Sequence, residues 1–156
     1  MLTTLTFSQQ DTFRFHHDAA AGLLRGSWPA PVLDADLRTH YAQLLQAAQQ
    51  VGGCRYWLLD MRGRNWHMPS FSRWFSQEFG PAVRAALGRS VFVAYILSPR
   101  HQTAAEDVRT QRCQRESATH DFYPYFFSSE STALDWLRHQ QSLDPAAHQP
   151  SLRASA

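Results

Sequence analysis

Lysine is missing from this chain of 156 residues, and all 15 of its Lys+Arg positions are arginine. The absence excludes a Walker-type phosphate lysine, a Schiff-base lysine and the lysine of a phospho-receiver site. Isoleucine and asparagine occur once each, as Ile96 and Asn65, so the bias belongs to the composition as a whole. Cysteine is limited to Cys54 and Cys113, read as two reduced thiols rather than a disulfide framework. No apolar run approaches the roughly 20 residues of a membrane helix. Met1 to Phe7 lacks a basic segment followed by a hydrophobic one, so no export signal is read and a cytoplasmic location is expected. The 13 acids are scattered and offer no carboxylate pair, and a net charge of +2 is too small to indicate nucleic acid without a clustered patch.

Aromatic residues are plentiful at 13%, within a hydrophobic content of 44%. That suffices for the core of one domain, placed over residues 10–141 with a flexible tail over 142–156. Phe13, Phe15 and His17 alternate with Arg14, His16 and Asp18, the period of a half-buried strand. A turn at 18–22 and a returning strand from Leu23 to Trp28 complete a hairpin. From Leu37 the period changes. Leu37, Tyr41, Leu44, Leu45, Ala48 and Val51 form one stripe of an amphipathic helix, with Asp34 or Asp36 as N-cap and Gly52-Gly53 as the stop.

The central stretch runs from Cys54 to Asn65. Arg55 to Met61 reads as a strand apolar on both faces, as in a parallel sheet, and ends in Asp60-Met61-Arg62-Gly63-Arg64. Ser70 or Ser72 is placed to cap a second helix carrying Phe71, Trp74, Phe75, Phe79 and Val83, interrupted at Gly80-Pro81 by a kink or split there into two short helices, with Pro81 at the first position of the second. Val91 to Leu97 is another apolar strand. Residues 101–120 are polar and suit a solvated or partly mobile helix. Tyr123 to Phe127 reads as a last strand; because Pro124 cannot donate to a ladder, it is an edge strand or begins only after the proline. A final helix buries Ala133, Leu134, Trp136 and Leu137. The order ββαβαβαβα predicts an α/β domain: a central mixed, mostly parallel sheet flanked by helices.

That order, with Trp57-Leu58-Leu59-Asp60-Met61-Arg62 and the ending from Phe126 to Leu137, resembles the STAS/SpoIIAA-like superfamily over roughly residues 10–141. The resemblance implies a non-enzymatic domain: an anti-sigma-factor antagonist, a regulatory module working by protein contact, or a small-ligand binder akin to lipid-exchange domains. It implies a protein partner or homodimer and no cofactor. The antagonists carry a phosphorylatable serine in an Asp-Ser-Ser/Thr-Gly-like signature. Here the matching stretch is Asp60 to Arg64, which lacks the serine, and Ser70 and Ser72 come too late to replace it.

If the strands are parallel, their carboxyl ends bring Trp28, Asp60, Arg62, Arg64, Arg100 and His101 to one edge, where open α/β sheets bind ligands. Guanidinium groups near a helix N-terminus suit a small anion. The competing reading pairs Arg62 and Arg64 with Asp60 and surface acids. Trp66, Phe71 and Trp74 are the candidates for a partner surface, provided that they stay outside the core. No metal is predicted: His16 and His17 point to opposite faces of a strand, and His67, His101 and His120 lack short ligand spacing. Arg109, Arg112 and Arg115 would lower the thiol pKa of Cys113 if they surround it, but no base is placed beside that thiol. Hydrolase or transferase chemistry through His67 or His101 is the weakest reading.

Overall fold

The computed structural model describes residues 5–9, 12–66 and 69–144. Strands β1 (Leu5–Gln9), β2 (Arg14–Asp18), β3 (Leu23–Ser27), β4 (Tyr56–Asp60), β5 (Val91–Ile96) and β6 (Phe122–Phe127) lie side by side in sequence order. β2 to β6 form the expected mixed sheet: β2 runs antiparallel to β3, and every later pairing is parallel. β1 adds an antiparallel edge strand before the expected start of the domain.

The alternation read from the sequence decides which residues line each face. Phe13, Phe15, Leu24, Trp57, Leu59, Val91, Val93 and Tyr95 face one side and join the larger core. Helix α1 (Asp34–Gln50) closes that core with Leu37, Tyr41, Leu44 and Ala48, all of them fully buried. Burying each such leucine contributes about 1.5–3 kcal/mol. Asp34 and Asp36 are not its cap, since Leu33 holds that position with no side-chain bond. The two acids sit inside the first turn, where the helix dipole favours negative charge.

α2 (Pro69–Trp74) passes into a π-helical turn over Phe75–Phe79 and then into α3 (Gly80–Leu87). A further helix therefore starts at Gly80 with Pro81 in its first turn, as the sequence suggests, joined to α2 by the π-helical turn. Pro81 has no N–H to give, and the wider turn absorbs this: Gly80 N–H reaches back to the Phe75 carbonyl. Phe71, Phe75, Phe79 and Val83 thereby stay on the core side.

The polar region 101–120 is ordered. A short 3₁₀ turn (Pro99–His101) leads into α4 (Gln102–Glu106) and α5 (Val108–Ala118), and Asp107 caps α5 through Arg109 N–H at 2.8 Å. β6 pairs with β5 alone, as its proline requires. The Pro124 carbonyl accepts Gln114 Nε2 at 2.9 Å.

On the opposite face α6 (Glu130–Leu143) packs Ala133 and Leu137 onto Leu58, Ala94 and Ile96, a second and smaller core. The helix runs past the expected domain end at 141. Asp144 beyond it is held by Arg55 and accepts Tyr56 Oη at 2.7 Å. Residues 145–156 of the expected tail lie outside the described residues. No described helix is long and apolar enough to cross a membrane.

Candidate functional site

The carboxyl ends of β3, β4 and β5 do bring the six expected residues to one edge, but the sheet divides them between its two faces. Trp28, Arg64 and His101 are buried at 1%, 5% and 3% exposure. Asp60, Arg62 and Arg100 lie outside that core.

The division begins at the end of β4. Met61 N–H still bonds to the Ile96 carbonyl, then the chain turns back, with Arg64 N–H on the Met61 carbonyl at 3.2 Å. Gly63 makes this turn possible. A Cβ there would lie 2.4 Å from the Trp28 carbonyl oxygen and 2.7 Å from the Pro29 carbonyl carbon, so only glycine lets the loop lie against that backbone. Side chains from elsewhere fasten the loop. Arg100 Nη2 donates to the Arg62 and Arg64 carbonyls at 2.8 and 3.0 Å. Val32 N–H donates to Asn65 Oδ1 at 2.9 Å.

His101 adds a third fastening. Its Nδ1 accepts the Ser98 backbone N–H at 3.3 Å, so Nε2 carries the proton and donates to the Arg64 carbonyl at 2.9 Å. Burial, reinforced by Arg100 and Arg64, holds its pKa below the usual histidine value, against the opposing pull of the Arg64 carbonyl. The Ser98 hydroxyl also meets Nδ1, at 3.2 Å. This contact caps the 3₁₀ turn.

Arg62 behaves as the bland reading expects. It grips Asp60 through Nε at 3.0 Å and Nη2 at 2.7 Å, and its backbone N–H adds a third bond at 3.0 Å. Burial raises the Asp60 pKa, but these bonds and the Arg62 charge outweigh it and leave the carboxyl below its usual value. Asp60 borders an open polar concavity that Arg14, His16, Arg25 and Glu130 share. Arg25 there is already tied to Glu130 at 2.8 Å and Asp18 at 3.6 Å.

Arg64 departs from that reading. Its guanidinium stacks on Trp28, 4.3 Å from the ring centroid, with Tyr95 at 5.9 Å. No carboxylate among the described residues pairs with it, and its Nε and Nη1 are buried with no hydrogen-bond partner. Stacking uses the faces of the guanidinium, whereas its N–H bonds lie in the plane and point past the rings. Trp28 is itself fixed, donating from Nε1 to His40 Nδ1 at 3.0 Å. His40 is held below its usual pKa by burial first and by Arg64 in lesser part, against the opposing charge of Asp36.

Arg64 lines a cavity of about 60 Å³ by the volume open to water centres. Its walls include Met61, Trp66, Phe71, Phe75 and Phe126. Most of its other polar groups are spoken for. Thr110 Oγ1 donates to the Ala104 carbonyl at 2.7 Å, Gln114 to Pro124, and Cys113 Sγ to the Ser72 carbonyl at 3.6 Å. Tyr41 and Tyr95 share a hydroxyl–hydroxyl bond at the cavity wall. One proton joins the pair, and the other remains as a donor. Burial, with Tyr41 in lesser part, pushes the Tyr95 pKa well above its usual value, against the opposing charge of Arg64.

Phe71 is buried at 6% and is withdrawn from the expected partner surface. Trp66 and Trp74 are half-buried against the same core. Trp66 packs on His101 and Phe126, and Trp74 lies under the Arg38 guanidinium. The thiol pKa of Cys113 is raised by burial rather than lowered by its arginine neighbours. His67 and the side chain of Ser70 lie outside the described residues. Among the described residues no three His, Cys, Asp or Glu side chains cluster to hold a metal ion. What sequence reasoning missed was the cavity itself, with Tyr41 and Tyr95 in it. No spacing in the sequence links two tyrosines 54 positions apart. No family model, no curated protein and no solved structure matches this chain.

Proposed function

We propose that this chain is a non-enzymatic binding domain of STAS/SpoIIAA-like type whose task is to hold a small anionic or amphiphilic ligand at the strand-end edge. One observation carries the reading: among the described residues Arg64 is buried, meets no carboxylate, and has in-plane donors without partners at the wall of an aromatic cavity. An unpaired cation in an apolar interior is costly, by several kcal/mol, and an anionic ligand is the component that would offset the cost. The order of the elements and the edge strand at Pro124 support the family resemblance. A thermal-shift screen of nucleotides, phosphorylated metabolites and organic acids, run on the native chain and on Arg64→Met, tests it. A ligand at 100 times its Kd adds about 2.7 kcal/mol, or roughly 5–11 °C for a chain of this size. The shift must vanish in Arg64→Met, and a hit that survives there unchanged sinks the reading.

A second reading, regulation by contact with a protein partner or a second copy, has the half-buried Trp66 and Trp74 in its favour. Trp66 also lines the cavity, so occupancy and contact would be linked through it. Light scattering with and without a screening hit decides this, since an unchanged mass in both states argues against self-association.

A further inference from the structure

Resting on the Arg64 reading, we infer that the ligand is a small monocarboxylate carrying a short apolar or aromatic tail. The charge in the cavity wall is a single one. Arg100, the nearest other guanidinium along the edge, is exposed and gives Nη2 to the Arg62 and Arg64 carbonyls. A monoanion balances Arg64, whereas a phosphate dianion would bury a second charge with nothing to meet it.

Donor geometry points the same way. Trp28 lies 4.3 Å from the guanidinium carbon and Tyr95 5.9 Å, so a ligand meets the planar edge that these rings leave. A carboxylate is planar and accepts parallel bonds from one edge of the fork, Nη2 with either Nε or Nη1. The spare proton of the Tyr41–Tyr95 pair supplies one further donor without adding charge. A phosphate group has more oxygens to satisfy than these donors can reach.

The walls describe the rest of the molecule. Thr110 and Cys113 give their donors to backbone carbonyls, and Gln114 gives one of its two, so a sugar or a peptide would find few partners. Met61, Phe71, Phe75 and Phe126 offer apolar surface instead. The volume of about 60 Å³ sets the size. One water needs about 10–15 Å³ on this measure, so the room is that of a few waters, enough for a benzoate-sized acid and too little for a long acyl chain.

The test is calorimetric titration of the full chain with benzoate, benzamide and phenyl phosphate, which keep the ring and change the head. Each is run on the native chain, on Arg64→Met, and on Cys113→Phe, which narrows the cavity and leaves Arg64 in place. Benzoate is expected to bind the native chain at least tenfold more tightly than either of the others. Both substitutions are expected to weaken it tenfold or more. Phenyl phosphate outbinding benzoate in an Arg64-dependent way would overturn the carboxylate class and leave the site standing. So would silence from all three beside an Arg64-dependent hit of another class in the thermal screen. Benzoate binding that Arg64→Met leaves intact would overturn the site itself. If Arg64→Met does not fold, shown by loss of a cooperative thermal transition, Cys113→Phe decides. Unchanged benzoate affinity there removes the cavity from the account.

Discussion

Arg62 and Arg64 stand on the same turn, yet one faces water with Asp60 in its grip and the other lies in the core with no carboxylate among the described residues. On an extended strand, residues two apart share a face. Here the turn closed by Arg64 N–H on Met61 sends them to opposite sides of the sheet edge. The exposed pair is a fastening of small value, because water already solvates both partners. Arg64 is the reverse: its burial costs more than its stacking on Trp28 returns. A methionine would fill the space between Trp28 and Tyr95 at less expense. The contrast marks Arg64 as the residue whose explanation lies outside the folded chain alone.

The widest break in that contrast comes from Gly63. Gly63→Ala drives a Cβ into the Trp28–Pro29 backbone, and a loss of about 3 kcal/mol is expected. Melting should fall by roughly 6–12 °C, with Arg64 displaced and ligand binding lost. A variant melting within a degree of the native chain would show that the loop yields freely.

Next comes Arg64→Met, with the opposite sign. Desolvation of the ion costs several kcal/mol, and a stacked cation–π contact returns about 2. The ligand-free variant should therefore be more stable by roughly 1–2 kcal/mol in urea unfolding, while losing the anion. A large destabilisation would mean that the guanidinium is a structural plug.

Arg62→Ala sharpens the comparison from the other side. Its pair is half-exposed, so the expected loss is about 0.5–1 kcal/mol, with ligand affinity unchanged. If affinity falls as far as in Arg64→Met, the two arginines serve one site and the contrast fails.

A graded effect of pH is the smallest. His17, His40 and His101 are all held below the usual value of 6.5, burial being the first cause in each. The unfolded chain therefore takes up protons first as the pH falls. Their contribution is complete above pH 6.5 and declines as acidification proceeds through the lower folded values. The urea midpoint should drop between pH 7.5 and 5, and less steeply in His101→Gln. A midpoint that rises over that interval contradicts the burial of these rings.

Much of this frame was legible in the residues. The unbroken apolar runs of β4 and β5 could be seen because both faces of those strands are covered, and α1 because one stripe repeats over four turns. The six edge residues followed from parallel strands alone. Their division did not, since it depends on a four-residue turn whose course is set by contact with Trp28 and Pro29, far away in sequence. The start of a new helix at Gly80-Pro81 was legible because proline suits a first helical turn, whereas the π turn before it was not, since no residue pattern marks the wider bond. The last residues of α6 escaped because no period marks them, and β1 because its alternation of Leu5 and Phe7 with Thr6 and Ser8 is only two repeats long. The one hint of Arg64 was its flank, a glycine and an arginine following directly on an apolar strand. That pattern gives no sign of which way a side chain will point.

The sheet whose strands stand in sequence order also has a bearing on how the chain comes to be folded. Each strand from β2 onward binds on one side to the strand before it. During synthesis, every new strand thus meets a partner already made, and no segment must wait for a later one to arrive between its neighbours. Parallel pairing is ordinarily slow because the ends to be joined are far apart. Here each crossover joins neighbouring strands, through α1, through α2 to α3, or through α4 and α5, so the closures are local and successive. α6, the last element, seals the second face. The chain can grow in the direction in which it is read.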